Sequence, residues 1–593
     1  MEKRKEKKAR NKISVLCITS VLLLFLILET RSGMQLSENP TWYVGPLDPP
    51  SIPDFNSIQE AIDDPRVLPG HVIEVLENRT SLLPEAPYYE NVVLNKSLTI
   101  RNKPGHRPII DGGGSGVVVR INASNVNFTG FNIQRGYYGI YVDDGSSHDN
   151  ITANVVRLTG VGIYVSGGGN NFLKGNNVTI SGSSGVEIHS PNNILRSNLM
   201  SGFDGHNFGI YDFYIQDVDN SSKINGKPVY YLNKSNLVID PSTFPSIGYL
   251  GLINSENVTV RNLTLENNGQ GLLIVDSVGM NVENLTLTDN GQGLLIVDSV
   301  DIHVENLTLT GNEVGVELVR TNTSTVKNVK AYGGYGVTLQ YSNDSTIVGN
   351  TIISDRPLGA GSFGIIMCYS HNSTIVRNDI LGNLYGITLQ NSTGSKIYQN
   401  NFINNSEQIW SSGGSNEWDN GREGNFWSDY EGEDSNGDGI GDQPYLVDQN
   451  PLMEKWVFKK MFNVTRYGGK YLYVVTTFSN STRASLNWTR DQMRISFKLT
   501  SGTNELINIT IPRDWLEGPF NVRLNGTTLE PEYFRVSEDT NNSYVFFNFT
   551  AGRYSVEIIG TRTLGFRSGD LNNDGIINIV DIVIVALSFG EED

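Results

Sequence analysis

The sequence predicts an all-β fold: a parallel β-helix of about twelve coils with a repeat of about 22 residues, followed by a β-sandwich and a short tail. Three observations predict it. The stretch NGQGLLIVDSV occurs at Asn268–Val278 and again, letter for letter, at Asn290–Val300. A Gly followed by an aliphatic residue recurs at Gly116, Gly139, Gly162, Gly185 and Gly209, then at Gly271, Gly293, Gly315, Gly336, Gly364 and Gly386. Asparagines follow the same period: Asn132, Asn154, Asn176 and Asn198, then Asn262, Asn284, Asn306, Asn328 and Asn350, then Asn378 and Asn400. Between these markers apolar residues alternate with period two, which is strand. At ~3.3 Å per residue, three short strands with turns use about 22 residues. One such unit cannot bury its apolar face alone; stacked units can.

The elements follow in order. Residues 1–33 open with seven Lys/Arg in the first twelve, then the apolar run Ile13–Leu28, and read as a signal peptide or an uncleaved membrane anchor. Residues 34–110 form an N-terminal cap and first strands, with SIQEAID as a short amphipathic helix over the open end. Residues 111–410 are the repeats, and residues 216–245 break the period as an inserted, projecting loop. Residues 411–452 are a C-terminal cap with a calcium loop. Residues 453–561 keep alternating strands without the period, a β-sandwich. Residues 562–593 are the tail.

Gly suits sharp turns through positive φ. Asn tolerates left-handed backbone, and its amide can bond its counterpart one coil away, forming a ladder. Asn262, Asn284 and Asn306 sit both in that series and in N-x-S/T sequons, so they are expected to stack and remain unmodified. Asn220, Asn233 and Asn404 are the better glycan candidates among 24 sequons.

Residues 1–33 hold eight basic and three acidic residues, so the rest of the chain carries −23 against a total of −18. That charge excludes nucleic acid and anionic lipid as partners and disfavours polyanionic sugars. The membrane is engaged only through residues 1–33, if these are uncleaved. Cys17 falls in the leader and Cys368 stands alone, so no disulfide staples the exported part.

The run SIQEAID, PGHVIEV, YYENVVLNKSLTI and IIDGGG, with NGKPVYYL and NFWSDYEGEDSNGDGIGDQPY, resembles the NosD-like β-helix proteins. These carry the "carbohydrate-binding and sugar hydrolysis" type of repeat, frequent in archaeal surface proteins. The resemblance spans roughly residues 50–452. It implies a right-handed helix with three sheets, and a founding function in loading copper into nitrous oxide reductase. The tail GDLNNDGIINIVDIVIVALSFG resembles one half of a type I dockerin, which implies a cohesin-like partner; dockerins normally carry two halves, and this chain has one.

Calcium is the expected cofactor, structural in role. Asp434, Asn436, Asp438 and Asp442 place oxygens at alternate positions of a Gly-bent loop, with the Ile440 carbonyl completing the cage; Asp570, Asn572, Asp574, the Ile576 carbonyl and Asp581 repeat the arrangement. Copper prefers His, Met and Cys, and the seven His (His71, His106, His148, His189, His206, His303 and His371) are scattered. A carbohydrate-binding file is expected where the outward residue of G-I-x-V strands gives Tyr141, Tyr164, Glu187 and Tyr211, with Asp143, His189 and Phe213 beside it. Plain stacking of surface tyrosines is the competing explanation. Farther on the same file becomes Leu273, Leu295, Glu317 and Thr338, an apolar stretch that would lie under the inserted loop or a second subunit. Catalytic candidates are Asp143 with Glu187, two coils apart, and the cluster Asp204, His206 and Asp212. The reading is an extracellular or cell-surface β-helix protein that binds a polysaccharide or cell-surface glycan, or serves as an adhesive or structural rod. The alternatives are a polysaccharide hydrolase or lyase on the same helix, and a copper-enzyme maturation factor.

Overall fold

The computed structural model describes residues 40–46, 54–78, 86–180, 182–202, 205–354, 356, 361–435, 439–456 and most strands between 459 and 560. The leader or anchor, Asp204, Asn436, Asp438 and the tail with Asp570, Asn572, Asp574, Ile576 and Asp581 lie outside the described residues.

One coil shows the logic. It runs Gln270–Val275, Asn281–Glu283 and Thr286–Thr288, then starts again at Gln292–Val297. The strands pair in parallel with the next coil: Leu272 with Leu294, Val282 with Val304, Leu287 with Leu309. Identical residues therefore face one another along the stack, which is what the repeated stretch provides. Leu272, Ile274, Val282 and Leu287 point inward and are fully buried. The corners turn through left-handed residues, Asp276, Gly279, Asn284 and Asp289, the types that tolerate that conformation. The whole is a right-handed solenoid of about fifteen turns rather than twelve. The extra turns come from segments that lack the Gly-aliphatic marker: the first strands, and residues 216–245.

The strand glycines serve close approach rather than positive φ. A Cβ on Gly162 would lie 2.5 Å from the Gly185 carbonyl oxygen, and one on Gly364 would lie 2.4 Å from that of Gly386. Neither has positive φ.

At the corners the backbone N–H points into the coil, where no strand partner waits. A side-chain oxygen one coil on accepts it. Asn154 N donates to Asn176 Oδ1 (3.1 Å) and Asn176 N to Asn198 Oδ1 (3.1 Å). The amide nitrogens reach back: Asn176 Nδ2 donates to Ile151 O (2.8 Å) and to Asn198 Oδ1 (3.0 Å). Asn268, Asn290 and Asn312 form a second ladder. A serine ladder runs through Ser255, Ser277, Ser299, Thr321, Ser342, Ser370 and Ser392, each N–H donating to the next hydroxyl at 3.0–3.4 Å. Every rung is buried.

Asn262, Asn284 and Asn306 are not rungs, contrary to the expectation from spacing. Thr264, Thr286, Thr308, Lys330 and Thr351 are in register. The residue before each is therefore equivalent, and Leu263, Leu285, Leu307 and Val329 take the place of Asn350. The three Asn lie one position earlier, exposed, with φ of 55–60°. A series at one spacing merged two adjacent positions with opposite environments.

Residues 216–245 do not project as a loop. Asp217–Val218 pairs with Ile194 and Leu195, and Lys223–Ile224 with Leu199 and Met200. An Asn225-Gly226 turn then leads into Lys227–Leu232, which pairs in parallel with Tyr249–Ile253. The segment is a fault in the stack. One eight-stranded flank sheet ends at Asp217–Val218 and another begins at Val238–Ile239. The apolar residues Leu273 and Leu295 are buried within the same cluster as Phe208, Ile210 and Tyr249, with Tyr214 and Tyr231 packed against it. The chain itself covers that stretch.

The N-terminal helix is short, Ile58–Asp63, capped by Ser57, whose hydroxyl accepts from Glu60 N, and it buries Ile58, Ala61 and Ile62.

The chain divides into two compact units. The features above, apart from the register of residues 375–379 and 396–403, belong to the first. In the second, which holds residues 417–593, a ladder runs Asn378, Asn400, Asn425, and ends on buried Asp448, which accepts from Asn425 N (2.7 Å) and Trp427 Nε1 (2.9 Å). Phe402, Trp427 and Tyr445 stack in series at 4.4 and 5.0 Å. Between residues 459 and 559 the strands pair antiparallel into sheets of two, five and three strands. Most side chains that would form the core of the β-sandwich expected over 453–561 lie outside the described residues.

The ladder yields a test. Asn176→Ala strands the Asn154 N–H and the Ile151 carbonyl, and should cost about 2–4 kcal/mol. Thermal unfolding should show the loss, whereas exposed Asn262→Asp, which keeps a residue type that tolerates the left-handed corner, should change stability by less than about 0.5 kcal/mol.

Candidate functional site

The candidate site lies on the outer face of the first unit, on the strands Asn132–Val142, Val155–Val165, Ser184–Ile188 and His206–Ile210. Inward Ile140, Ile163, Val186 and Phe208 are buried and fix the register. Outward residues then align coil by coil: Arg120, Tyr141, Tyr164 and Glu187.

Tyr211 does not continue that file. Glu187 pairs with Gly209, because Phe208 and Ile210, not Gly209, supply the inward pair. Tyr211 falls two residues on, beside His189, where Phe213 was expected. Their rings stack at 4.6 Å and 11°. The result is one continuous stack: Tyr141 on Tyr164 at 5.0 Å, Tyr164 on His189 at 4.7 Å, His189 on Tyr211. The Arg120 guanidinium closes its end, 4.8 Å from the Tyr141 centroid. The ring faces are spent on one another, so only edges and polar groups reach solvent.

Beside the stack runs a polar line. His189 Nε2 is 3.3 Å from Glu187 Oε2, and its Nδ1 is 3.6 Å from Asp212 Oδ2. Burial opposes ionisation of Glu187, but hydrogen bonds from His189 and Ser184 and the nearby imidazoles outweigh it and hold the carboxyl below its ordinary range. His206, drawn into the same group by Glu187 and Glu313, is pushed down chiefly by burial. Burial, with Tyr141 and Glu187 adding to it, pushes the Tyr164 hydroxyl up to about 12.

Of the sequence candidates, Tyr164, Glu187, His189, Tyr211 and Asp212 converge, with Tyr141 at the far end. Asp143 is engaged elsewhere, in an ion pair with Arg120 at 2.9 Å. The lowered Glu187 carboxyl suits a base rather than a general acid. Sequence reasoning missed Tyr137 and Tyr138. Tyr138 meets both Tyr141 and Tyr164 edge-on, and Tyr137 is 54% exposed. The run GYYGIY held the signal, but only its last Tyr fits the alternation. Glu317 was read only as part of an apolar file. It is half-buried, and desolvation raises its carboxyl against a hydrogen bond from Gln292; its charge acts on Tyr214.

In the loop expected to hold calcium, Asp434 Oδ2 accepts from Gly439 N (2.9 Å) and Asp442 Oδ2 from Ser435 N (2.8 Å). The Ser435 hydrogen bonds hold the Asp442 carboxyl below its ordinary range. Among the described residues no three His, Cys, Asp or Glu converge at metal-ligand spacing, and no helix is long and apolar enough to cross a membrane.

Tyrosinate absorbance tests the stack. The neutral Tyr164 hydroxyl is favoured by the fold, so its contribution is whole below about pH 10 and lost as pH rises through about 12. The difference titration of the protein against Tyr164→Phe should show one phenol ionising near 12. A phenol at its ordinary value would contradict the packing.

The family described as "Periplasmic copper-binding protein (NosD)" matches residues 218–432, and "Right handed beta helix region" matches residues 115–306. A "Cell surface glycoprotein" of Methanothermus fervidus is 34% identical over 103 residues, 17% of this chain and 16% of that protein, so the chain matches about a sixth of its relative's length. Among solved structures, the mannuronan C-5 epimerase AlgE6 A-module of Azotobacter vinelandii is 15% identical with a TM-score of 0.25, over 61% of this chain and 93% of that one. Pectate lyase Pel9A is 13% identical with a TM-score of 0.24, over 51% and 77%. The Dettilon tailspike protein is 13% identical with a TM-score of 0.22, over 82% and 86%. The coil register and the two family matches make the chain a right-handed β-helix protein similar, over residues 218–432, to the NosD family.

Proposed function

We propose that the chain is a cell-surface or extracellular β-helix protein that binds neutral glycans along the ridge from Tyr137 to Asp212. The observation that carries this reading is the polar line beside the closed ring stack. Glu187, His189, Asp212 and the tyrosine hydroxyls offer donors and acceptors in a row whose steps match the coil spacing of ~4.8 Å. Sugar rings present hydroxyls at comparable intervals. Stacking of sugar on aromatic faces is left to Tyr137 and Phe213, which are about half exposed. Asp143, Glu187 and Asp212 outnumber the Arg120 cation, so neutral rather than acidic sugars fit. The similarity to a cell surface glycoprotein supports the location. Calcium bound by Asp434, Asn436, Asp438, the Ile440 carbonyl and Asp442 would brace the cap.

A second reading is a glycan hydrolase or lyase. It is favoured by Glu187 and His189, a carboxylate and an imidazole 3.3 Å apart on the outer face, with half-buried Glu317 as a further carboxyl.

The chain should be titrated in calcium against neutral and acidic polysaccharides, with new reducing ends and unsaturated products followed in parallel. The expected result is binding to a neutral glycan, weakened at least ~10-fold, about 1.4 kcal/mol, by Tyr137→Ala or His189→Ala, without products. Sustained product release lost in Glu187→Gln or Glu317→Gln would make the protein an enzyme. No binding to any glycan would sink the ridge reading. Chelation should lower the melting temperature of the cap by a few degrees if calcium braces it.

A further inference from the structure

We propose that Asn262, Asn284 and Asn306 are N-glycosylation sites, forming a row of glycans along one corner of the first unit. Each begins the same N-L-T sequon. Each is exposed and held at φ 55–60°, which turns its side chain out of the corner. The +2 residues Thr264, Thr286 and Thr308 are exposed as well and in register on the next strand. Among the described residues none binds the Nδ2 of these three Asn; only Asn306 makes a side-chain bond, accepting through Oδ1 from Asn328. Both halves of the acceptor, amide nitrogen and hydroxyl, are thus presented together on three successive coils.

The contrast lies within the same chain. Asn127 and Asn150 also begin sequons, N-F-T and N-I-T. They stand in strands, part-buried, with the amides committed: Asn127 Nδ2 donates to Thr99 Oγ1 (3.0 Å) and Asn150 Nδ2 to Asn127 Oδ1 (2.5 Å). These should stay bare.

The reaction needs a lipid-phosphate-linked oligosaccharide. Its C1–O bond to phosphate breaks and the phosphate leaves with the electron pair. Asn Nδ2 forms the new bond to C1 and gives up one proton. Nothing in the folded chain has to move for the product to fit, because the corner faces solvent. The corner also lies between the second and third strands of each coil, Asn281–Glu283 and Thr286–Thr288. It is therefore the corner opposite the first-strand sheet, and a glycan row there leaves that sheet's outer face open.

The test is site-resolved glycopeptide mass spectrometry on protein from its native source, using cleavage at acidic residues because no Lys or Arg separates Asn262 from Asn306. The expected result is a glycan on at least two of the three Asn and none on Asn127 or Asn150. Thr286→Val, which keeps a β-branched strand residue, should remove the glycan at Asn284 alone and leave the melting temperature of the deglycosylated protein unchanged. Three bare Asn in the native protein would overturn the proposal, whatever the other sequons carry. So would equal occupancy of Asn127 and Asn150, since exposure would then not be what selects.

Discussion

The fold depends on satisfying the backbone N–H groups that turn inward at each corner. Strand amides find the next coil without help. Corner amides do not, and a buried unpaired donor costs about 1–3 kcal/mol each. The chain answers with side-chain oxygens that repeat with the coil: Asn154 to Asn198 at one corner, Ser255 to Ser392 at another. A rung cannot be changed alone, because each oxygen serves the coil before it. The corner of Leu263, Leu285, Leu307 and Val329 is the exception: a buried apolar column stands there, and the polar rung returns at Asn350, whose Oδ1 accepts from Val329 N.

That rule also explains where the site sits. Stacking in register makes outward residues into files, so an aromatic on each of several coils becomes a stack without further design. The stack ends where the register ends. Between Gly209 and Tyr249 the chain departs from the period, and Tyr211, Asp212 and Tyr214 are released from strand geometry. Three groups with shifted ionisation, Glu187, His206 and Glu317, lie on the coils that flank that fault.

Much of this is legible in the sequence, because a period is a global property that survives local error. The coil, its strands and the inward aliphatics follow from the 22-residue spacing. What fails is anything that depends on a shift of one or two residues. Gly209 resembles the other strand glycines, yet the inward pair Phe208 and Ile210 decides the register and moves Tyr211 to the file of His189. Asn262 and Asn350 share a spacing, yet one faces water and the other fills a ladder. In both cases alternation of burial is the stronger signal and the conspicuous residue the weaker one. Residues 216–245 fail differently: their strands are two to six residues long, too short to show periodicity.

Native-state hydrogen exchange, resolved by residue, measures the corner constraint directly. If the side-chain ladders are part of the structure's cooperative fabric, the amides of Asn176, Ser277, Ser299 and Ser370 will exchange as slowly as the neighbouring strand amides of Val178 and Leu272, only when the solenoid opens as a whole. Fast exchange at the four corner amides, with the strands still protected, would show that the ladders are incidental and that strand pairing alone holds the coils.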